Sequence, residues 1–146
     1  MAEIVTEFKI RNAVMEDIED IMAIEGEHNS PNPTFEEKYK AMLGDDASYF
    51  LVATFKNKLV GYAGGIIRDT EFGINDPIGY VTHVGLTKDF TSKGMGRMLG
   101  DKLLEVMSEK CDKFRTILGF DRVDLQSFFN HLGFKRTDYL VYESIY

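Results

Sequence analysis

The chain has 146 residues, of which 44% are hydrophobic and 12% aromatic. That is enough for one domain with its own core, and it excludes a disordered chain. A net charge of −7 argues against general nucleic-acid binding, which leans on basic patches.

No stretch approaches the roughly 20 apolar residues of a membrane span; the longest run free of charge is residues 77–87. The opening MAEIVTEFKIR lacks the basic and apolar regions of a signal peptide, so a cytoplasmic setting is expected. The lone cysteine, Cys111, leaves no internal disulfide and no cysteine-based zinc site. The three histidines form no ligand pattern, so no metal is expected. Residues 1–50 carry a net −8 and residues 51–146 a net +1. An acidic front half suits a cationic partner, and the back half can host an anionic one.

Ile4, Phe8 and Ile10 alternate with polar neighbours and open the chain as a strand. After Asn12, Ile18, Ile21 and Met22 recur at helical spacing, behind an acidic first turn. Residues 28–33, HNSPNP, read as a loop. Thr34, with Glu37 three positions on, reads as the cap of a second helix ending near Gly44.

Residues 48–55 are apolar on both faces, as in a central strand. Residues 56–58, KNK, form a tight turn into a hairpin partner at residues 59–67. The glycines there, at 61, 64 and 65, mark a bulge or a close approach by a ligand. Residues 78–86 form the next strand. A helix runs from about 94 to 110 with Met95, Met98, Leu99, Leu103, Val106 and Met107 as its buried stripe. Residues 115–118 form a short strand, residues 123–132 a helix closed by Gly133, and residues 138–146 a last strand. The class is mixed α/β, in the order β-α-α-β-β-β-α-β-α-β. A meander leads into a strand–helix–strand crossover with parallel strands, and helices lie on both faces of a mixed sheet.

The most informative segment is residues 84–97, VGLTKDFTSKGMGR. A strand ends there and a helix opens on Gly94, Met95 and Gly96. Backbone N–H groups at a helix start lack intrahelical partners and, with the helix dipole, attract anions. Lys93 and Arg97 add positive charge. The pattern fits a phosphate or pyrophosphate. A P-loop is excluded because Lys93 precedes the glycine, and a dinucleotide fingerprint would need glycine where Leu99 stands.

The segment resembles the acetyl-CoA loop of the GNAT superfamily of N-acetyltransferases. Thr91-Ser92-Lys93-Gly94-Met95-Gly96 follows that family's pattern, with Thr91 where arginine or glutamine is usual. The opening FKIRNAVMEDIEDI, the strands at 51–53 and 59–62, and Phe128–Phe134 (FFNHLGF) extend the likeness along the whole chain. The resemblance implies one domain over residues 1–146, acetyl-CoA as co-substrate and a primary amine as acceptor. It implies a cofactor site of Val84, Gly85, Leu86, Thr91, Ser92, Lys93, Gly94, Met95, Gly96 and Arg97, with Arg122 and Phe129 nearby.

An alkyl amine, with a pKa of about 10.4, must lose a proton before it attacks a thioester, while a thiolate of parent pKa about 8.5 leaves readily. Many relatives protonate that thiolate with a tyrosine where Phe129 stands here. Relatives often place their base where Tyr80 and Thr82 lie, and neutral His83 next door has a suitable pKa. Tyr80 and His83 are therefore the catalytic candidates, although strand alternation places them on opposite faces.

The acidic residues of the first two helices favour a cationic amine: a small amine, a lysine side chain or a protein N-terminus. Homodimerisation is common in such proteins, and the last strand offers an edge for it. The rival reading is an acyl-CoA sensor without turnover, which Phe129 favours.

Overall fold

The computed structural model describes residues 7–29, 32–90 and 94–146. Ile4 and the Thr91, Ser92 and Lys93 of the expected cofactor loop lie outside the described residues. The strands are β1 (Phe8–Asn12), β2 (Ser48–Phe55), β3 (Lys58–Arg68), β4 (Ile78–Leu86) and β5 (Lys113–Arg115). The helices are α1 (Ile18–His28), α2 (Pro33–Leu43), α3 (Met95–Met107) and α4 (Val123–His131). The strands make one sheet in sequence order. The first three pairings are antiparallel and β4–β5 is parallel.

The sheet has apolar residues on both faces because a helix pair covers each. On one side Leu51, Ala53 and Val81 pack against Leu99, Leu103, Met107 and Phe129 from α3 and α4. On the other, Phe50, Val52 and Tyr62 meet Ile21, Ile24, Tyr39 and Met42 from α1 and α2. In α3 the buried stripe repeats every fourth residue from Met95 to Met107. Met98, placed in that stripe from the sequence, is 38% exposed. Each fully buried side chain of this kind contributes about 1.5–3 kcal/mol.

The KNK turn joins β2 to β3 with Lys56 and Asn57 both at positive φ, 51° and 66°. A two-residue hairpin turn of the primed type needs such angles, which match the strand twist. At α2 the cap is Asn32 rather than Thr34. The Asn32 side chain accepts from the Thr34 backbone N–H at 2.9 Å, and Pro33 takes the first helical position, where no N–H is needed. His28 ends α1 instead of starting a loop. At the entrance to α1, Asp17 accepts from Arg11 at 2.7 and 2.9 Å and from the Val14 N–H at 2.8 Å.

The expected last strand does not form. Residues 138–146 lie outside the sheet, and Tyr139, Leu140, Val141, Tyr142 and Ile145 are all exposed. Aromatic and β-branched residues favour a strand only beside a neighbour that pairs with it. Arg115 stacks on the Tyr139 ring at 4.4 Å, the contact that ties this segment to β5.

The bulge expected from the β3 glycines is present. Gly64 pairs with His83 and Gly65 with Val81, so Thr82 is the extra residue on β4. A β-carbon on Gly65 would meet the Tyr80 carbonyl oxygen at 2.6 Å. The close approach is thus made by the protein's own chain.

Candidate functional site

β5 accompanies β4 only from Ile78 to Tyr80. Beyond that, Thr116 still reaches the Val81 carbonyl through its hydroxyl at 2.9 Å, and the strands then part. A cleft of about 800 Å³ opens along the free edge of β4. Its floor is the chain from Val81 to Leu86, and α3 and α4 form one wall. The other wall is α1 and α2, through Glu25, His28 and Tyr39.

At the α3 wall, Gly94 is the helix cap, with φ of +76° and open space where a β-carbon would project. Only glycine adopts that angle without strain, and the first N–H groups of α3 follow it. Of the residues expected at the coenzyme, Val84, Gly85, Leu86, Gly94, Gly96 and Arg97 line the cleft. Arg122 and Phe129 do too. Met95 is fully buried in the core, so it can offer only its backbone. Arg122 is held by Asp124 through two bonds of 3.1 and 3.0 Å, and that carboxylate raises its pKa further. Phe129 is buried between Phe128 and Phe134, with ring centroids 5.1 and 5.0 Å away.

The two catalytic candidates fare differently. Tyr80 pairs with Arg115 on the closed part of the strand and is not part of the cleft lining. His83 lines the cleft. The alternation expected between them fails because Thr82 is a bulge. Gly79 and Val81 face α3, so Tyr80 points the other way, and the extra residue brings His83 to the same side as Tyr80. There the His83 ring meets the Tyr39 ring edge-on, with centroids 5.3 Å apart.

Burial holds the His83 pKa below its ordinary value. Lys38 on α2 lowers it further, and Glu25 on α1 opposes both. His83 Nδ1 lies 2.8 Å from the Thr82 hydroxyl oxygen, which itself donates toward the Gly64 carbonyl at 3.4 Å. A hydroxyl has one proton to give. With it spent on Gly64, Nδ1–H is the donor to Thr82 and Nε2 carries the lone pair. A neutral imidazole so oriented can accept a proton.

Sequence reading missed a polar cluster on the α1–α2 wall. Glu25 accepts a short hydrogen bond from the Tyr62 hydroxyl and another from the Asn29 side-chain amide at 3.1 Å. The Tyr39 hydroxyl donates to that of Tyr62 at 3.5 Å. Burial pushes the Tyr39 pKa up to about 12 and raises that of Tyr62 as well, so both are neutral phenols. The signal was present. Glu25 sits among Ile18, Ile21 and Ile24 on the apolar stripe of α1, where a carboxylate has no reason of packing to be. His28 was also passed over; it hydrogen-bonds the Leu86 carbonyl oxygen at 2.8 Å. Cys111 is buried, and its thiol bonds the Met107 carbonyl. Among the described residues no group of histidine, cysteine and acidic side chains could hold a metal. Nor is any described helix long and apolar enough to cross a membrane.

Comparison with solved structures finds the same architecture repeatedly. The aminoglycoside 6'-N-acetyltransferase AAC(6')-Ig from Acinetobacter haemolyticus superposes with a TM-score of 0.82 at 19% identity, over 94% of this chain and 98% of that one. AAC(6')-Iy, solved with the bisubstrate analogue CoA-S-monomethyl-acetylneamine, gives 0.81 at 16% identity, over 95% and 98%. A transcriptional regulator from Bacillus halodurans C-125 gives 0.79 at 17% identity, over 94% and 99%. At such identities these likenesses show the fold alone. No curated protein matches the sequence. The family model "Acetyltransferase (GNAT) family" matches residues 13–134, from the entrance of α1 to the phenylalanine after Gly133. With the parted strands and the glycine-capped helix in place, the chain belongs to the GNAT acetyltransferase family.

Proposed function

We propose that the protein transfers an acetyl group from acetyl-CoA to a cationic primary amine by direct attack in a ternary complex. The observation that carries this reading is the cleft where β4 leaves β5, with the Gly94-capped start of α3 on one wall and His83 on the floor. The α3 side suits the pyrophosphate: main-chain N–H groups after Gly94, with Arg97 and Arg122 near them. Lys93 and its two predecessors belong to the same expected site. The bisubstrate analogue in AAC(6')-Iy supports one cleft for both substrates.

The acceptor enters as an ammonium. His83 Nε2 takes its proton, and the freed nitrogen pair attacks the thioester carbonyl carbon. Negative charge then develops on the carbonyl oxygen, and main-chain N–H groups near Leu86 stabilise it. The C–N bond forms, the C–S bond breaks, and the thiolate departs. Phe129 has no proton to give it, so the second proton that the nitrogen sheds as the amide forms passes to the thiolate through solvent. Holding both reactants in one cleft contributes the rest of the acceleration. The reading takes residues 1–146 as one catalytic domain in the cytoplasm, in keeping with the lone cysteine. It includes a homodimer paired along the open sheet edge at β5, beside the exposed residues 138–146.

Thiol release from acetyl-CoA, followed with a colorimetric reagent against a panel of amines, tests the reaction. Release with any cationic primary amine supports it. Phe129 favours a second reading, a module that binds acyl-CoA without turnover. Coenzyme binding with no release for every amine would establish that one.

A further inference from the structure

We propose that Glu25 anchors a second, non-reacting ammonium of the acceptor, so that the enzyme prefers diamines and polyamines to monoamines. The inference rests on the acetyl-transfer reading and names its substrate class. Glu25 is 8% exposed, yet it lines the cleft. Both of its oxygens are engaged by neutral donors, the Tyr62 hydroxyl and the Asn29 amide. Among the described residues it makes no ion pair. A carboxylate withdrawn from water without a cation is costly, and a positive group entering the cleft removes that cost.

The surroundings fit an alkylammonium. Phe35, Tyr39 and Tyr62 line the same part of the cleft and present aromatic rings, which attract cations and accept methylene chains. Tyr62 also fixes the distance to the reacting strand. A β-carbon on Gly85 would lie 2.6 Å from the Tyr62 hydroxyl, so Glu25 stands one phenol away from β4.

Charge decides which nitrogen Glu25 holds. A carboxylate paired with the reacting nitrogen would keep it protonated and block attack. The nitrogen that must lose its proton belongs beside neutral His83, across the Tyr39 ring. Glu25 is left for the nitrogen that stays charged.

The test compares 1,4-diaminobutane and 1,6-diaminohexane with butylamine and hexylamine as acceptors. In the wild type the KM for the better diamine should be at least about tenfold below that of its matched monoamine, the effect of one charge-assisted hydrogen bond. Glu25→Gln, which keeps the shape and an acceptor for Tyr62, should bring the ratio to about one. Glu25→Asp, which keeps the charge, should retain a preference. Equal KM values in the wild type, or a preference that survives in Glu25→Gln, would overturn the proposal. Affinity for acetyl-CoA reports whether each variant is folded. If Glu25→Gln does not fold, the wild-type ratio and Glu25→Asp decide. Should no amine be acetylated, the transfer reading fails by itself. Calorimetric titration of diamine against monoamine into the CoA-bound wild type then judges Glu25 separately, and equal affinities sink it.

Discussion

His28 Nε2 donates to the Leu86 carbonyl oxygen at 2.8 Å, a bond between residues 58 positions apart. It ties the last turn of α1 to the end of β4. Glu27 adds to the tie by accepting from the Thr87 hydroxyl at 3.0 Å and the Lys88 N–H at 3.2 Å. The α1 wall of the cleft is therefore tied to its floor at the end of β4.

Removing that bond should loosen the cleft more than the fold. His28→Ala should cost about 1 kcal/mol in stability, the worth of one hydrogen bond. The KM for the amine should rise several-fold as the α1 wall loses its tether. Thermal unfolding and steady-state kinetics, read together, check both.

His83 should set the acid limb of the pH profile. Its pKa lies below the ordinary 6.5, through burial first and Lys38 second, with Glu25 opposing. The kcat/KM should hold down to below pH 6.5 and fall only under that value. His83→Ala should remove this limb and lower kcat by about 100-fold. Stability follows the same group. The unfolded chain binds this proton more readily than the folded one, so stability is lost as pH falls from about 6.5 toward the depressed value. The variant should lack that slope. An unchanged profile in His83→Ala would remove His83 from the reaction.

Gly94 holds φ of +76°, with nothing near its missing side chain. Gly94→Ala should cost about 1 kcal/mol through the backbone alone. Gly94→Glu places a carboxylate where the pyrophosphate is expected and should cost acetyl-CoA at least about 100-fold in affinity. Calorimetry on folded protein separates the two effects. Unaltered affinity in Gly94→Glu would move the coenzyme elsewhere.

Asp17 is an acid-sensitive point away from the cleft. The Arg11 hydrogen bonds hold its pKa below the usual carboxylate range, and the Val14 N–H helps. Its contribution is full above about pH 4 and is lost as pH falls through the depressed value. Asp17→Asn should lower stability by about 2 kcal/mol at neutral pH and flatten the acid limb of the unfolding curve. Urea titrations between pH 2 and 7 measure it.

The sheet order, the four helices and the glycine cap were legible because each leaves a local mark: period two, period four, or a glycine after a strand. What sequence hid depends on partners. Residues 139–142, YLVY, are strand-forming types in an unbroken run but find no neighbour to pair with. Asn32 displaced Thr34 as a cap because Pro33 fixes the first turn. His83 and Tyr80 share a face because of an extra residue whose presence is set by Gly64 and Gly65 across the sheet. Glu25 looked like one acid among twelve in the first 50 residues. Only the packing of α1 distinguishes it from its solvated neighbours.

Thr82 has a consequence for how the protein can change. Because successive residues of a strand face opposite ways, the side on which His83 stands depends on parity. Deleting Thr82 would turn either His83 or everything before it by half a revolution, besides removing the hydroxyl beside His83 Nδ1. A point substitution that keeps the hydroxyl, Thr82→Ser, should be tolerated far better than a change in length. Homologues that keep the reaction should therefore keep a hydroxyl here and conserve the count.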